Sequence, residues 1–197
     1  MENIQPNSFK AWMLAARPKT LTGAAIPVMT GCSLAAMYGH FKIVPAVLCF
    51  LFAFLMQIDA NFVNDLYDFL KGSDREDRLG PERACSQGWI SQKNMMYGII
   101  ITTILAGISG LSLLFFCGWE IIPVGIACIV FAFLYTAGPY PLAYHGFGDI
   151  LVLLFFGFIP VGCTYYIMAH DWNLSVIMAS LACGLVIDTL LMINNFR

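Results

Sequence analysis

Long stretches without a charged side chain recur along this chain, and the clearest runs from Asn94 to Trp119. About 18 to 20 apolar residues suffice for a helix to cross the hydrocarbon core of a bilayer. The stretches are long and lack a two-residue alternation, which favours helices over barrel strands. The pattern predicts an all-α, polytopic transmembrane helical bundle that forms a single domain over residues 1–197. Its six spans are expected at roughly 21–38, 43–62, 95–117, 120–138, 149–169 and 174–193.

Composition supports a membrane protein and excludes several other classes. Hydrophobic residues make up 59% of the chain and charged residues 11%, whereas a soluble domain is nearer half apolar and a quarter charged. The net charge of −2 offers no basic field for a nucleic acid. The seven cysteines include no Cys-x-x-Cys pair, which argues against a disulfide framework or a thiolate metal site. No obligate protein partner is evident, and the expected surroundings are the lipid bilayer.

Lysine and arginine predict the orientation. Nine of the ten lie before span one, between spans two and three, or after span six, and Lys42 alone lies on the other side. Because cytoplasmic loops carry the excess of basic residues, both ends and the 63–93 loop are expected in the cytoplasm. The expected location is the cytoplasmic (inner) membrane.

The segment around the end of span two carries the candidate chemistry. If the helix continues beyond the membrane surface, Asn61, Asp65 and Asp68 fall at i, i+4 and i+7 on one face. Gly72 could end that helix and return Asp74 towards the carboxylates. Like charges gathered on one face indicate that a cation belongs among them.

Oxygen ligands of this kind suit Mg²⁺, which keeps several waters and completes its shell with phosphate oxygens. Neighbouring basic residues could bind the remaining phosphate oxygens, namely Lys71, Arg75, Arg78 and Arg83. Together these groups point to a substrate with a diphosphate head and a lipid tail. The alternative is that 63–93, with its six acidic and five basic side chains, is simply a solvated charged loop.

Other polar residues are secondary candidates. Asp59 and Asp188 lie inside predicted spans, where an ionisable group is a functional candidate by default. Asp59 could face a wet cavity, whereas Asp188 could serve either a cavity or a helix–helix hydrogen bond. Tyr135, at the cytoplasmic end of span four, could line the site.

Four stretches resemble a known family. The pattern Asn61-x-x-Asn64-Asp65-x-x-Asp68-x-x-x-Gly72-x-Asp74 is similar to the first aspartate-rich motif of the UbiA superfamily of intramembrane prenyltransferases. Ala16–Leu21, Arg78–Ala84 and Tyr135–Asp149 resemble the branch that prenylates 1,4-dihydroxy-2-naphthoate in menaquinone synthesis. The resemblance covers essentially the whole chain.

The resemblance implies a helical bundle of about nine spans around a cavity that opens to the cytoplasm. Magnesium ions there bind the diphosphate of a polyprenyl diphosphate, and an aromatic acceptor attacks the allylic cation left when diphosphate departs. In the naphthoate branch carbon dioxide is lost and demethylmenaquinone forms.

Roles carry over residue by residue from the same resemblance. Asp65 and Asp68 are expected as catalytic magnesium ligands, supported by Asn61, Asn64 and Asp74. Lys71, Arg78 and Arg83 are expected to neutralise the departing diphosphate. Asn194, Asn195 and Arg197 are similar to the residues that lead into the second aspartate-rich motif.

One departure from the family is that the acids of this second motif do not follow within residues 1–197. Residues 1–197 are therefore expected to be incomplete at the C-terminus and, on their own, inactive. Two other readings stay open, namely transfer to another ring such as 4-hydroxybenzoate, and a non-catalytic lipid-binding or transport protein.

Overall fold

The computed structural model describes residues 4–72, 82–137 and 148–195, with side chains as far as Thr189. Every regular element within these ranges is helical. Their bounds are α1 Phe9–Ala16, α2 Pro18–Met37, α3 Ile43–Leu70, α4 Gln92–Ser112, a 3₁₀ turn Leu113–Phe115, α5 Ile121–Leu134, α6 Gly148–Val152, a π-helical segment Leu153–Cys163, α7 Thr164–Ala169 and α8 Leu174–Asn195.

Apolar helices occupy all six predicted spans. Four are long and apolar enough to cross a membrane, namely Pro18–Met37, Ile43–Leu70, Gln92–Phe115 and Gly148–Ala169. Ile121–Leu134, and Leu174–Thr189 within the described side chains, are shorter. The prediction of an all-α membrane bundle is therefore confirmed.

The outer faces of these helices suit contact with lipid. Along α4, Ile101, Ile104, Ile108 and Leu111 recur on one face and are each 56–59% exposed. Exposure of these apolar side chains to water would be unfavourable in free energy, whereas their exposure to the hydrocarbon of a bilayer is not.

Two apolar clusters lie at opposite ends of the bundle. One joins α1, the end of α3, the 84–90 segment and the start of α4, around Leu66 and Met95. The other joins α2, the start of α3 and α7, around Val28 and Tyr165. The first cluster supports the polar face of α3, and its end of the molecule is called the site end below.

Helices α2 and the π-helical segment approach each other closely at Gly31. A Cβ atom at this position would lie 2.6 Å from the carbonyl oxygen of Val161. Small residues allow membrane helices to pack backbone against backbone in this way. The contact fixes α2, and hence the corner between α1 and α2, relative to the rest of the bundle.

Helix α3 is longer than the predicted span 43–62, because it continues as regular helix to Leu70. Lys71 caps it, and Gly72 then adopts a φ of +65°, a conformation that glycine takes without strain. The expected extension and its termination at Gly72 are thus confirmed. The expected return of Asp74 lies outside the described residues.

Candidate active site

A polar stripe runs along the last turns of α3. It contains Asn61, Asn64, Asp65 and Asp68, with Lys71 directly after the helix. At 3.6 residues per turn these positions share one broad face. Asn61, Asp65 and Asp68 are no more than 6% exposed. Since buried polar groups need partners, what each one contacts decides what the stripe can do.

Asp68 is paired with Arg83. The Nη2 atom of Arg83 lies 2.5 Å from Oδ2 of Asp68, and both side chains are largely buried. Charge-assisted pairs of this type are the strongest protein hydrogen bonds. The pair brings a cation that is 15 residues away in sequence directly onto the carboxylate stripe, and the predicted contact of Arg83 with phosphate stays a prediction.

Asp65 binds backbone rather than a side chain. Its Oδ2 atom accepts the N–H of Ala84 and its Oδ1 atom the N–H of Cys85, each at 2.9 Å. This arrangement fastens the residues that follow Arg83 to α3. Asp65 therefore holds in place the segment from which Arg83 reaches Asp68.

Asn61 binds the corner between α1 and α2. Its Nδ2 atom donates to the carbonyl oxygen of Ala16 and to Oγ1 of Thr20, both at 2.9 Å. The corner is made by Arg17 in the left-handed conformation and by Pro18 in the first turn of α2, a position that suits proline. The Ala16–Leu21 stretch is thus placed against the candidate site.

Asn64 and Lys71 lie towards α5. The Oγ1 hydroxyl of Thr136 donates to Oδ1 of Asn64, and the Nζ atom of Lys71 donates to the carbonyl oxygen of Thr136 at 2.5 Å. Tyr135 precedes Thr136 and is half-buried. The stripe is therefore contacted by three separate parts of the chain, the α1–α2 corner, the 83–85 segment and the end of α5.

The donor set suits a hard divalent cation. The carboxylates of Asp65 and Asp68 and the amide of Asn64 supply oxygen atoms, the ligand type that Mg²⁺ prefers. Each carboxylate oxygen has two lone pairs, so the contacts with Arg83, Ala84 and Cys85 leave further capacity. Within the described residues, no group of three or more His, Cys, Asp or Glu is suited to a metal. The magnesium roles of Asp65 and Asp68 stay predictions.

Several predicted site residues are placed only partly or not at all. Asp74, Arg78 and Arg197 lie outside the described residues. Asn194 and Asn195 form the last turn of α8, and their side chains lie outside the described part. The structure therefore brings together Asn61, Asn64, Asp65, Asp68, Lys71 and Arg83, with Tyr135 next to them.

Sequence reasoning missed three contributors to this site. Thr20 and Thr136 contact the stripe through hydroxyl groups, and the 84–85 segment contacts it through backbone N–H groups. A hydroxyl on an otherwise apolar helix end is an ordinary feature, and a backbone N–H has no sequence signal. All three contributors lie within or directly next to the stretches that resemble the family, namely Ala16–Leu21, Arg78–Ala84 and Tyr135–Asp149.

Comparison with known proteins identifies the family of this chain. Residues 24–197 match the model of the UbiA prenyltransferase family. The chain belongs to this family. Members of the UbiA family generally depend on a divalent metal, in agreement with the oxygen-rich stripe of α3.

Named relatives within the UbiA family are similar over nearly the whole chain. The 1,4-dihydroxy-2-naphthoate octaprenyltransferase of Escherichia coli (strain K12) is 40% identical over 100% of this chain and 66% of its own length. The protein of that name in Haemophilus influenzae is 40% identical over 95% of this chain and 64% of its own. That of Mycobacterium tuberculosis is 33% identical over 96% and 65%.

The chain spans slightly less than two thirds of the length of these curated relatives. No solved structure matches it.

Proposed function

We propose that this protein transfers a polyprenyl chain from polyprenyl diphosphate to 1,4-dihydroxy-2-naphthoate. The products would be demethylmenaquinone, carbon dioxide and diphosphate. The names of the relatives support the choice of acceptor, and residues 1–197 would form one domain of the enzyme. The observation that carries the proposal is the buried Asp68–Arg83 pair on the polar stripe of α3, which sets a carboxylate beside a cation at the end of a membrane-spanning helix.

The basic residues would bind the diphosphate. Arg83 and Lys71 are held on or beside the stripe, and Arg78 precedes Arg83 in the chain. Fixed cations stabilise negative charge where it develops as the diphosphate leaves, without first having to reorganise. Asp65 would keep Arg83 in place through Ala84 and Cys85, in addition to its proposed role as a metal ligand.

Magnesium would bind through Asp68, Asp65 and the side-chain oxygen of Asn64, with Asp74 and the diphosphate contributing further oxygens. When bound, the ion would neutralise the diphosphate and favour its departure. Asn194, Asn195 and Arg197 would complete the substrate site from the end of α8.

The membrane would supply both a route for the lipid tail and a dry site. Exclusion of water matters because water would otherwise react with an allylic cation. The site end carries Lys10, Arg17, Lys19 and Lys93 as well as Lys71 and Arg83. We therefore propose that it faces the cytoplasm of a multi-pass inner-membrane protein.

The test is an assay of membranes that contain the protein expressed from its natural gene. Polyprenyl diphosphate and Mg²⁺ are offered with 1,4-dihydroxy-2-naphthoate or with 4-hydroxybenzoate, and products are identified by mass. Asp68→Asn is expected to lower the rate about 100-fold or more, the usual effect of losing a charge-stabilising group. Thr22→Val is the matched control, because this exposed hydroxyl bonds only to its own helix among the described residues.

Each outcome decides between the open readings. Prenylated naphthoate supports the proposal, and prenylated hydroxybenzoate alone changes the acceptor. Full activity of Asp68→Asn would show that the stripe is not the site. Absence of any prenylated product, together with solute uptake by vesicles, would favour a transporter.

A further inference from the structure

Thr136 lies where the ends of two helices meet. Helix α5 ends at Leu134, and Thr136 follows two residues later, only 4% exposed. The neighbouring Ala137 is part of the apolar cluster that includes Leu66 of α3. Thr136 is therefore held firmly against the final turns of α3.

Two different groups of Thr136 contact two different residues of the candidate site. The side-chain hydroxyl donates to Oδ1 of Asn64, and the backbone carbonyl accepts from Nζ of Lys71. Asn64 and Lys71 are seven residues apart, which places them on the same face two turns apart along the helical path. One residue just beyond α5 thus contacts two positions on this face.

The position of Lys71 has an electrostatic reason. The last carbonyl groups of a helix lack partners inside the helix and carry a partial negative charge. Lys71 caps the carboxyl end of α3 and donates to a carbonyl just beyond the carboxyl end of α5. Its backbone N–H therefore caps α3, and its ammonium group is held at the negative end of α5, although the side chain is exposed.

We propose that Thr136 is a positioning residue for the diphosphate site. Its hydroxyl fixes the orientation of the Asn64 amide, and its carbonyl fixes the ammonium group of Lys71. Both groups are then in place before the anion arrives, so less side-chain freedom is lost on binding. The proposal deepens the proposed function and rests on it.

Two variants test the role of the Thr136 hydroxyl group while the backbone carbonyl group stays in place. Thr136→Val keeps the shape and the carbonyl but removes the donor to Asn64, whereas Thr136→Ser keeps both. We expect Thr136→Val to raise KM for polyprenyl diphosphate and the Mg²⁺ concentration for half-maximal rate about 3- to 10-fold, the size of one net hydrogen bond. Thr136→Ser should recover most of this loss, and Thr22→Val should match the wild-type protein.

A second measurement does not depend on turnover. Inorganic diphosphate with Mg²⁺ is added to the detergent-solubilised protein, and its affinity is obtained from the rise in the thermal unfolding temperature. Thr136→Val should bind about 3- to 10-fold more weakly.

The outcomes distinguish the two proposals. If the wild-type protein binds diphosphate but makes no prenylated product, the proposed function fails, and the affinities alone decide the role of Thr136. If Thr136→Val lowers the unfolding temperature but leaves KM, the Mg²⁺ requirement and the diphosphate affinity unchanged, Thr136 merely fastens α5 to α3. Equal losses in the Val and Ser variants would also overturn the proposal.

Discussion

Asp65 and Asp68 are two aspartates on one helix face that have different partners. Asp68 contacts the guanidinium group of Arg83, whereas Asp65 accepts two consecutive backbone N–H groups. Loss of Asp68 would therefore change the charge of the site directly. Loss of Asp65 would act first on the position of the 83–85 segment.

Substitution of Asp65 should affect stability. An asparagine retains one acceptor oxygen and turns an N–H₂ group towards a backbone N–H, so Asp65→Asn leaves one buried donor without a partner. Such a loss costs about 1–3 kcal/mol. We expect a lower thermal unfolding temperature in detergent, measured on the purified protein without substrate.

Glu82→Gln is the control for this variant, because Glu82 is exposed in the same segment. Should Asp65→Asn unfold at the wild-type temperature and lose only the response to Mg²⁺, Asp65 would be a metal ligand that does not anchor the segment.

At the scale of single residues, the sequence predicted which side chains form the stripe but not the groups that they contact. The spacing of Asn61, Asp65 and Asp68 is sufficient to place them on one face, because helix geometry is local. Thr136 lies 72 residues from Asn64, and nothing local relates them. Such contacts depend on how α5 packs against α3, which periodicity does not specify.

Helices α3 and α4 are joined by a buried acid. Oδ1 of Asp59 accepts the hydroxyl of Thr102 at 2.5 Å and that of Thr103 at 3.0 Å, and Asp59 is fully buried. The expectation that Asp59 faces a wet cavity is wrong, since it lies against α4. Interhelical hydrogen bonds of this kind help membrane helices to associate.

Removing both hydroxyl groups should weaken the α3–α4 contact. In Thr102→Val/Thr103→Val, Oδ1 of Asp59 loses two hydrogen-bond donors. Burial of the carboxyl group without them lowers the free energy of unfolding by about 1–3 kcal/mol. We expect a lower unfolding temperature, with KM for both substrates close to wild type in membranes at low temperature.

Ser112→Ala serves as the comparison, because this exposed hydroxyl bonds to Ile108 of its own helix. An unchanged unfolding temperature combined with loss of prenyl transfer would instead place Asp59 in the chemistry.

The apolar pattern predicted the six apolar spans better than it predicted the bounds of the helices. The pattern gave 120–138 for span four, whereas α5 covers Ile121–Leu134. It missed α1, because an eight-residue helix at Phe9–Ala16 is too short to resemble a span. The π-helical segment contains Pro160, which has no N–H group and cannot continue a regular ladder. Apolar periodicity alone does not distinguish that wider helix.

The described part of the molecule has different polar contacts at its two ends. At the site end, Asn7 donates its N–H to the carbonyl of Trp89, and Asn94 donates to the Asn7 side chain, so the basic segments lie together. At the opposite end, Tyr38 contacts Ser175 and Tyr166 contacts Glu120. Among the described residues, the segments that carry Lys10 and Lys93 thus lie close together, and the orientation that the sequence predicted stays a prediction.

Thiol labelling in intact cells tests the orientation. Gln87 and Lys42 are both exposed, at the site end and the opposite end respectively. With a membrane-impermeant maleimide, Lys42→Cys should react in intact cells, and Gln87→Cys only after permeabilisation. The wild-type protein gives the background from its seven native cysteines.

The opposite labelling pattern would place the site end outside the cytoplasm and would contradict the proposed access of cytoplasmic substrates.

The continuity of α3 also limits how the length of this chain can vary. From Asp59, which is fixed against α4, to Lys71, which is fixed against α5, the helix has no break. One inserted or deleted residue between them would rotate everything beyond it by about 100° and separate the stripe from Arg83 and Thr136. The exposed residues 86–88 form a hydrogen-bonded turn outside α3, so a length change there would not rotate the stripe. Length changes among natural variants should therefore accumulate there and be absent between Asp59 and Lys71.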